Sequence, residues 1–196
     1  MATHGRSGLK RLVMGSVTET VLRQTSVPLL ACRPGFRMEG WTHVVALDGS
    51  PRAESILADL VPLTKRMGAT LHLVHIETDR HRSSKAREGG GDMESYLERL
   101  STYLVSQGVS VRTAIRRGSA GAGIVSYAEE VAAGLVAMAT HGRTGLSRAL
   151  MGSVAEEVLR KGSCPMLLRR DLRRPSPLGP KVRRHGLGTR ILVARG

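Results

Sequence analysis

The amino-acid sequence predicts an α/β protein whose core is a five-stranded parallel sheet with helices on both faces. Between residues 41 and 170, five short apolar runs alternate with segments of helical period. Strands that alternate with helices pair in parallel, because each helix returns the chain to the start of the next strand. The composition is 41% hydrophobic and 23% charged, as in globular proteins, and no apolar run reaches the roughly 18 residues of a membrane helix.

The first strand and helix carry the clearest boundary signals. A strand is predicted over 43–48 and a helix over 50–68, because Ser50 can cap the helix, Pro51 suits its first turn and Gly68 can end it. A charged, glycine-rich loop is expected at 77–91. The remaining elements continue the alternation, with strands at 69–76, 109–118, 135–140 and 165–170 and helices at 92–108, 123–134 and 153–162.

An internal repeat divides the chain. Residues 1–33 align without a gap with residues 138–170, and 21 of the 33 pairs are identical. We therefore predict a C-terminal fragment of a first domain at 1–33, a linker at 34–40 and one complete domain at 41–170.

The fragment at 1–33 raises the question of how it is stabilised. A segment this short cannot bury a core by itself. We therefore expect its strand VPLLA (27–31) to pair with PMLLR (165–169) at the edge of the complete domain.

The net charge of +14 is concentrated at the ends of the chain. Residues 1–40 contribute +4, residues 41–170 another +4 and residues 171–196 +6. The last of these segments mixes Pro, Gly and Arg without an amphipathic period, so we predict a basic, disordered tail at 171–196. Such a tail can neutralise phosphates but cannot read a base sequence. We therefore do not expect nucleic acid to be the main partner.

The cysteines and the N-terminus indicate a cytoplasmic protein that is not bound to a membrane. Cys32 and Cys164 have no metal-ligand spacing, and reduced thiols are expected. The charged N-terminus is not followed by the apolar core of a secretory signal.

A candidate anion site follows the fourth strand of the complete domain. Ligands of parallel sheets bind at the carboxyl ends of the strands, here after Leu47, His75 and Ala139. After the last of these, His141-Gly142 is separated by nine residues from Gly152-Ser153, which opens a helix. The unpaired amides at 153–155 would attract phosphate.

Side chains of the same segment support either an anion site or a simpler role. Arg143 and Arg148 would add positive charge, and Ser153 a hydroxyl donor. However, Ser153 and Glu156 also form a Ser-x-x-Glu capping box, which alone would explain both residues. Both interpretations stay open at this point.

The chain resembles the universal stress protein family. The resemblance is carried by VVALDGSPRAESIL, LHLVHI and AGLVAMATHGRTGLSRALMGSVAEEVLRKGSCPMLL in this order, and it covers about 41–170, with 1–33 similar to the end of a tandem copy. It implies a Rossmann-like, adenine nucleotide alpha hydrolase-like fold that commonly forms a homodimer through its last strand. For one branch of the family it also implies binding of ATP, with or without Mg²⁺, and no catalytic triad.

The resemblance assigns binding roles residue by residue. Ala46 and Asp48 would line the adenine and ribose region, and Ile76 would meet the adenine. The ribose and phosphates would be surrounded by the motif segment, which comprises Ala139, Thr140, His141, Gly142, Arg143, Gly152, Ser153 and Val154. The motif of the ATP-binding branch is Gly-x2-Gly-x9-Gly-Ser/Thr, and Ala139 stands here in place of its first glycine.

Three functions are compatible with these observations. The first is a nucleotide-binding stress-response or signalling module, and the second is a nucleotide-free dimerising scaffold in which Ala139 blocks the pocket. The third is a nucleic-acid binder that uses the basic ends.

No catalytic or metal site is predicted, so we do not expect an enzyme. Asp48 has an alternative role in the Gly49-Ser50 turn, and structural roles are expected for His72 and His75.

Overall fold

The computed structural model describes residues 27–32, 41–79, 92–140 and 151–170. The linker predicted at 34–40, the tail predicted at 171–196 and the predicted site residues His141, Gly142 and Arg143 lie outside the described residues. The strands are β1 (Leu29–Ala31), β2 (Thr42–Ala46), β3 (Thr70–Glu77), β4 (Ser110–Arg117), β5 (Leu135–Ala139) and β6 (Met166–Arg169). The helices are α1 (Pro51–Glu54), α2 (Leu57–Met67), α3 (Met93–Ser106), α4 (Ala120–Glu130) and α5 (Ser153–Lys161).

The strands form one sheet in the order β1-β6-β5-β2-β3-β4. Strands β2 to β6 are parallel, which confirms the predicted five-stranded parallel sheet. β1 adds a sixth strand and pairs with β6 in the antiparallel direction. The sheet is therefore mixed, with one antiparallel strand at its edge.

Helices cover both faces of the sheet, as predicted. Alternate residues of each strand point to opposite faces, and the buried side chains fall into two clusters. We call the side covered by α4 and α5 the α4–α5 face; its sheet residues include Val44, Val74 and Leu168. The opposite side, covered by α1, α2 and α3, is the α1–α3 face; its sheet residues include Val45 and Leu73.

The β1–β6 pairing confirms the predicted contact between the N-terminal fragment and the complete domain. Leu29 lies opposite Leu168, Leu30 opposite Leu167 and Ala31 opposite Met166. The repeat aligns 29, 30 and 31 with 166, 167 and 168, so the pairing is symmetric about the central pair. β1 thus occupies the outer edge of β6, and a homodimer through the last strand would have to displace it.

Two helices differ from their predicted bounds by more than two residues at an end or by a division. The helix predicted over 50–68 is divided into α1 and α2 at Ser55, whose backbone N–H donates to the carbonyl of Arg52, three residues back, at 3.1 Å and whose hydroxyl donates to the same carbonyl at 2.7 Å. Ser50 caps α1 and Gly68 ends α2 with φ +61°, as predicted. α4 begins at Ala120, three residues before its predicted start at Gly123, and two glycines lie in its first turn.

The glycines of α4 allow close packing of the helix. A Cβ atom at Gly121 would lie 2.8 Å from the Cβ of Glu157 in α5, and one at Gly123 would lie 3.1 Å from two carbons of Ile76 in β3. A methyl group at Gly121 would therefore force Glu157 to shift, and one at Gly123 would require Ile76 to move by a few tenths of an ångström. Glycine therefore favours the helix here through packing, against its low intrinsic helix propensity.

Candidate functional site

The candidate site lies where three strand ends adjoin. β2 is central, with β5 on one side and β3 on the other. The chain passes from β2 to β3 on one side and returns to β5 on the other, so the strand order changes direction between β2 and β5. This topology brings together the described parts of the predicted site: the ends of β2, β3 and β5 and the start of α5.

The turn after β2 is ordered by Asp48. Its Oδ1 accepts a hydrogen bond from the backbone N–H of Ser50 at 2.9 Å, and the Ser50 hydroxyl oxygen accepts from the N–H of Ala53 at 3.2 Å. Gly49 has φ +78°, a conformation that suits glycine, and Met93 of α3 packs against it. The alternative role given to Asp48 in this turn is confirmed. Its contact with a ribose stays a prediction.

Three buried histidines have structural partners. His75 Nδ1 donates to the carbonyl of Leu47 at 2.8 Å and so ties the end of β3 to the end of β2. His72 Nδ1 lies 2.9 Å from the Tyr127 hydroxyl. The structural roles predicted for His72 and His75 are thus confirmed. The third, His43, is fully buried near the opposite end of β2.

Ile76 is enclosed by protein. Its side chain is 6% exposed and packs against Gly123 at the start of α4. Ala46, at the end of β2, is half-buried on the same α4–α5 face. Because α4 covers most of the Ile76 side chain, only its small exposed part could contact adenine as predicted.

The methyl group of Ala139 is accommodated inside the protein. Ala139 ends β5 and is 6% exposed. By strand alternation it shares a face with Leu135 and Ala137, whose side chains pack in the cluster of the α1–α3 face. α5 packs on the other face. The residue that replaces the first motif glycine therefore directs its methyl group away from the face on which α5 lies.

A backbone clasp holds α5 against the end of β5. We use this name for two hydrogen bonds, one from the N–H of Thr140 to the carbonyl of Arg169 at 2.8 Å and one from the N–H of Gly152 to the carbonyl of Thr140 at 2.6 Å. A Cβ atom at Gly152 would lie 3.0 Å from that Thr140 oxygen. The third and last glycine of the motif, Gly152, is thus explained by close approach to the protein's own backbone.

The capping box, which was the alternative explanation for Ser153 and Glu156, is contradicted by the structure. The N-cap of α5 is Gly152, and Ser153 is the first helical residue. The first intrahelical bond runs from the N–H of Glu156 to the carbonyl of Gly152 at 3.0 Å. Since glycine has no side chain to accept a hydrogen bond, the amides at 153–155 are not capped by their N-cap residue. Ser153 itself is exposed, while Val154 is half-buried.

Charged residues that sequence reasoning did not single out lie around the same strand ends. Arg169 at the end of β6 is 3% exposed and pairs with Asp59 of α2. The sequence does contain a signal for Arg169: it is a charged residue that directly continues the apolar run Met166–Leu168, where a buried side chain is expected. Glu54 of α1 is buried, and burial together with the charge of Glu54 raises the pKa of Tyr96 above its usual value.

Neither a metal cluster nor a membrane span is found in the part of the chain that the structure describes. Within residues 27–32, 41–79, 92–140 and 151–170, no three His, Cys, Asp or Glu side chains are grouped so that they could hold a metal ion. Over the same ranges, every helix is too short or too polar to cross a bilayer. Cys32 and Cys164 are half-buried free cysteines, and burial raises the pKa of Cys164.

The fold and the strand-end site define a Rossmann-like α/β protein in which a helix with a glycine N-cap begins beside the switch point of the sheet. Comparison with known families gives the same class. The model of the universal stress protein family matches residues 1–33 and 42–170. The chain therefore belongs to the universal stress protein family.

Individual relatives are similar at moderate identity. Universal stress protein MJ0531 of Methanocaldococcus jannaschii is 27% identical in an alignment of 134 positions that covers 64% of this chain and 79% of that protein. Universal stress protein YxiE of Bacillus subtilis is 25% identical in an alignment of 145 positions that covers 64% of this chain and 95% of that protein.

Solved structures show the same fold. A universal stress protein from Archaeoglobus fulgidus superposes with a TM-score of 0.63 at 24% identity, over 80% of this chain and 54% of that one. A universal stress protein in complex with cAMP superposes with a TM-score of 0.54 at 19% identity, over 67% of this chain and 97% of that one. The chain thus spans about half of the protein chain in the A. fulgidus structure and nearly all of the protein chain in the cAMP complex.

Proposed function

We propose that this chain is a cytoplasmic stress-response module that binds an adenine nucleotide, with ATP as the ligand and binding rather than turnover as its activity. The observation that supports this most strongly is the N-terminus of α5. Its amides at 153–155 have no side-chain cap from Gly152, and the clasp holds them beside the end of β5 at the switch point. Unpaired amides at the positive end of a helix dipole attract phosphate.

Three further observations agree with the proposal. Asp48 stands at the end of the neighbouring strand β2, where a carboxylate suits ribose hydroxyls. The methyl group of Ala139 points into the core, so it does not obstruct the amides of α5. A structural neighbour of the same fold is a complex with cAMP, which is itself an adenine nucleotide.

The proposal assigns ligand contacts to those site residues that the structure describes at the ends of β2 and β3 and at the start of α5. The amides at 153–155 and the exposed Ser153 hydroxyl would bind phosphate oxygens, with Mg²⁺ as counter-ion where it is present. Asp48 would accept from the ribose, and Ala46 and Ile76 would face the base.

Isothermal titration calorimetry with ATP, AMP and GTP, with and without Mg²⁺, tests the proposal. We expect ATP to bind and Asp48→Asn to weaken it by about tenfold or more, since hydrogen bonds to charged groups contribute about 1.5–3 kcal/mol. Asparagine preserves the Ser50 turn, so the loss would reflect the charge. Lys161→Met at the far end of α5 is the matched control, with no change expected. Absence of ATP and AMP binding at high-micromolar ligand would refute the proposal.

A second candidate is a scaffold that dimerises through its last strand once β1 has left the edge of β6, and the symmetric register of β1 on β6 is the register that such a strand pair would have. We propose that a second copy can pair with β6 only where β1 has been displaced. Leu29→Asp would place a charge in the buried β1 contact, and Val27→Asp, at a side chain 65% exposed, is its control. Light scattering should show dimers only for Leu29→Asp. A dimeric intact chain whose β1 remains protected from exchange would contradict the displacement.

A further inference from the structure

We propose that the buried ion pair between Asp59 and Arg169 positions the phosphate-binding start of α5. This inference rests on the proposed nucleotide site and adds two positioning residues to it. Neither residue lies in the motif that carries the family resemblance, and neither needs to touch the ligand. The pair would act through the backbone clasp.

The ion pair is unusual in its burial. Arg169 is 3% exposed, and its Nη1 lies against Oδ2 of Asp59, which is 21% exposed. By alternation with Leu167, the Arg169 side chain extends into the α1–α3 face, where Asp59 is presented by the first turn of α2. A guanidinium is not buried without a partner that compensates its lost hydration. The pair therefore connects α2 to the carboxyl end of β6.

The backbone of the same arginine anchors the clasp. The carbonyl of Arg169 accepts from the N–H of Thr140, the carbonyl of Thr140 accepts from the N–H of Gly152, and the carbonyl of Gly152 accepts from the N–H of Glu156. These three hydrogen bonds, at 2.8, 2.6 and 3.0 Å, run in series from β6 to the first turn of α5. A shift of Arg169 would therefore be transmitted to the amides at 153–155.

The internal repeat indicates that the last strand does not require this arginine. The residue of the N-terminal copy that corresponds to Arg169 is Cys32. At the neighbouring positions the two copies keep apolar residues of similar character, namely Leu29, Leu30 and Ala31 against Met166, Leu167 and Leu168. The arginine therefore occurs in the C-terminal copy, which also has the complete strand-end site, and not in the N-terminal copy.

A purely structural role makes a different prediction from a positioning role. Replacing both members of a buried ion pair with apolar residues of similar volume is often neutral for stability. If the pair only stabilises the fold, the double variant Asp59→Leu/Arg169→Met should keep both its stability and its clasp. If the pair positions the clasp, stability should be kept while the local hydrogen bonds loosen.

Hydrogen exchange and calorimetry on the full chain separate these cases. For the double variant we expect an unchanged unfolding midpoint in urea, about tenfold faster exchange of the Thr140 and Gly152 amides, and about tenfold weaker ATP binding. Arg169→Lys keeps the charge without the planar fork, and we expect about threefold effects in both measurements. Lys161→Met removes the exposed Lys161–Glu157 pair of α5 and should change neither.

Each outcome decides the inference. Wild-type exchange at Thr140 and Gly152 in both the double variant and Arg169→Lys would overturn it, as would loosened exchange with unchanged ATP affinity. If the double variant does not fold, Arg169→Lys carries the test alone. If the wild-type chain binds no adenine nucleotide, the proposed function fails, and the exchange rates alone then support or overturn the positioning of the clasp.

Discussion

Replacing Gly152 with alanine tests the close approach on which the candidate site depends. The backbone of Gly152 has φ −68° and ψ 151°, which alanine adopts without strain. The effect of the substitution must therefore come from space and hydrogen bonding. The added Cβ would lie 3.0 Å from the Thr140 oxygen, the same atom that accepts the 2.6 Å hydrogen bond from Gly152.

The expected size follows from three destabilising contributions and one stabilising contribution. Moving the Thr140 carbonyl by a few tenths of an ångström would stretch a hydrogen bond that contributes about 0.5–1.5 kcal/mol, and overpacking adds about 1 kcal/mol or more. Alanine is also a poorer N-cap than glycine by about 0.5 kcal/mol. Against these, alanine restricts the unfolded chain and returns about 0.4–1 kcal/mol. The net expectation is a loss of about 1–2 kcal/mol in the free energy of unfolding.

Urea unfolding monitored by circular dichroism measures this loss, and calorimetry measures ATP affinity on the same protein. Ser153→Ala is the control for stability, because this exposed side chain takes no part in capping α5 and should stay within about 0.5 kcal/mol of wild type. We expect Gly152→Ala to lose at least as much free energy of ATP binding as it loses in free energy of unfolding. A variant with wild-type stability and wild-type affinity would show that this approach constrains neither the fold nor the site.

Three further substitutions test other parts of the structure. Ala139→Gly should leave ATP affinity within about threefold of wild type in calorimetry and lower the free energy of unfolding by about 0.5–1 kcal/mol, because the methyl group lies in the core; a large gain in affinity would favour the scaffold in which Ala139 blocks the pocket. Gly123→Ala should press on Ile76 at an overpacking cost of about 1–3 kcal/mol, partly offset by about 0.8–1 kcal/mol of helix propensity, so urea unfolding should show a net loss of up to about 2 kcal/mol; a variant more stable than wild type would contradict the close contact. Burial lowers the pKa of His43 below its ordinary 6.5. Below pH 6.5 the unfolded state therefore binds a proton at this histidine more readily than the folded state does. The free energy of unfolding should then fall as the pH drops below 6.5, by at most about 1.4 kcal/mol per pH unit for this group. Unfolding curves between pH 5 and 8 should show a weaker dependence in His43→Leu, and an identical dependence would contradict this assignment.

The tautomer of His43 explains the direction of this pH effect. The Thr64 hydroxyl donates to the carbonyl of Leu60 at 2.9 Å, so its oxygen accepts from His43 Nδ1–H, also at 2.9 Å. Nε2 then carries a lone pair, and it is buried without a hydrogen-bond partner among the described residues. Protonation there would bury an unpaired charge.

The parallel sheet could be predicted because its signals are local. The five apolar runs of the complete domain each match a strand, and Ser50 and Gly68 are the first N-cap and the left-handed C-cap that their chemistry favours. The repeat also contributed, since a copy of the last strand without its own sheet predicted β1 on the edge of β6.

The site was predicted less completely, because its details depend on distances between segments far apart in the sequence. Ser-x-x-Glu indicates a capping box at Ser153, but the contact of residue 152 with Thr140 makes Gly152 the cap. The glycines of α4 indicate a weak helix start, yet their lack of side chains lets the helix approach Ile76 and Glu157.

The sequence by itself determined the alternation of strands and helices, the repeat, the strand ends that carry the candidate site and the glycine spacing after the fourth strand. Only the tertiary structure decided that the Ala139 methyl group enters the core, that Arg169 finds Asp59 across the α1–α3 face, and that a backbone clasp fixes the start of α5. The physical reason is that periodicity and capping depend on neighbours within a few residues. The direction of one methyl group and the partner of one buried charge depend on how elements pack, and that is set only when the whole sheet assembles.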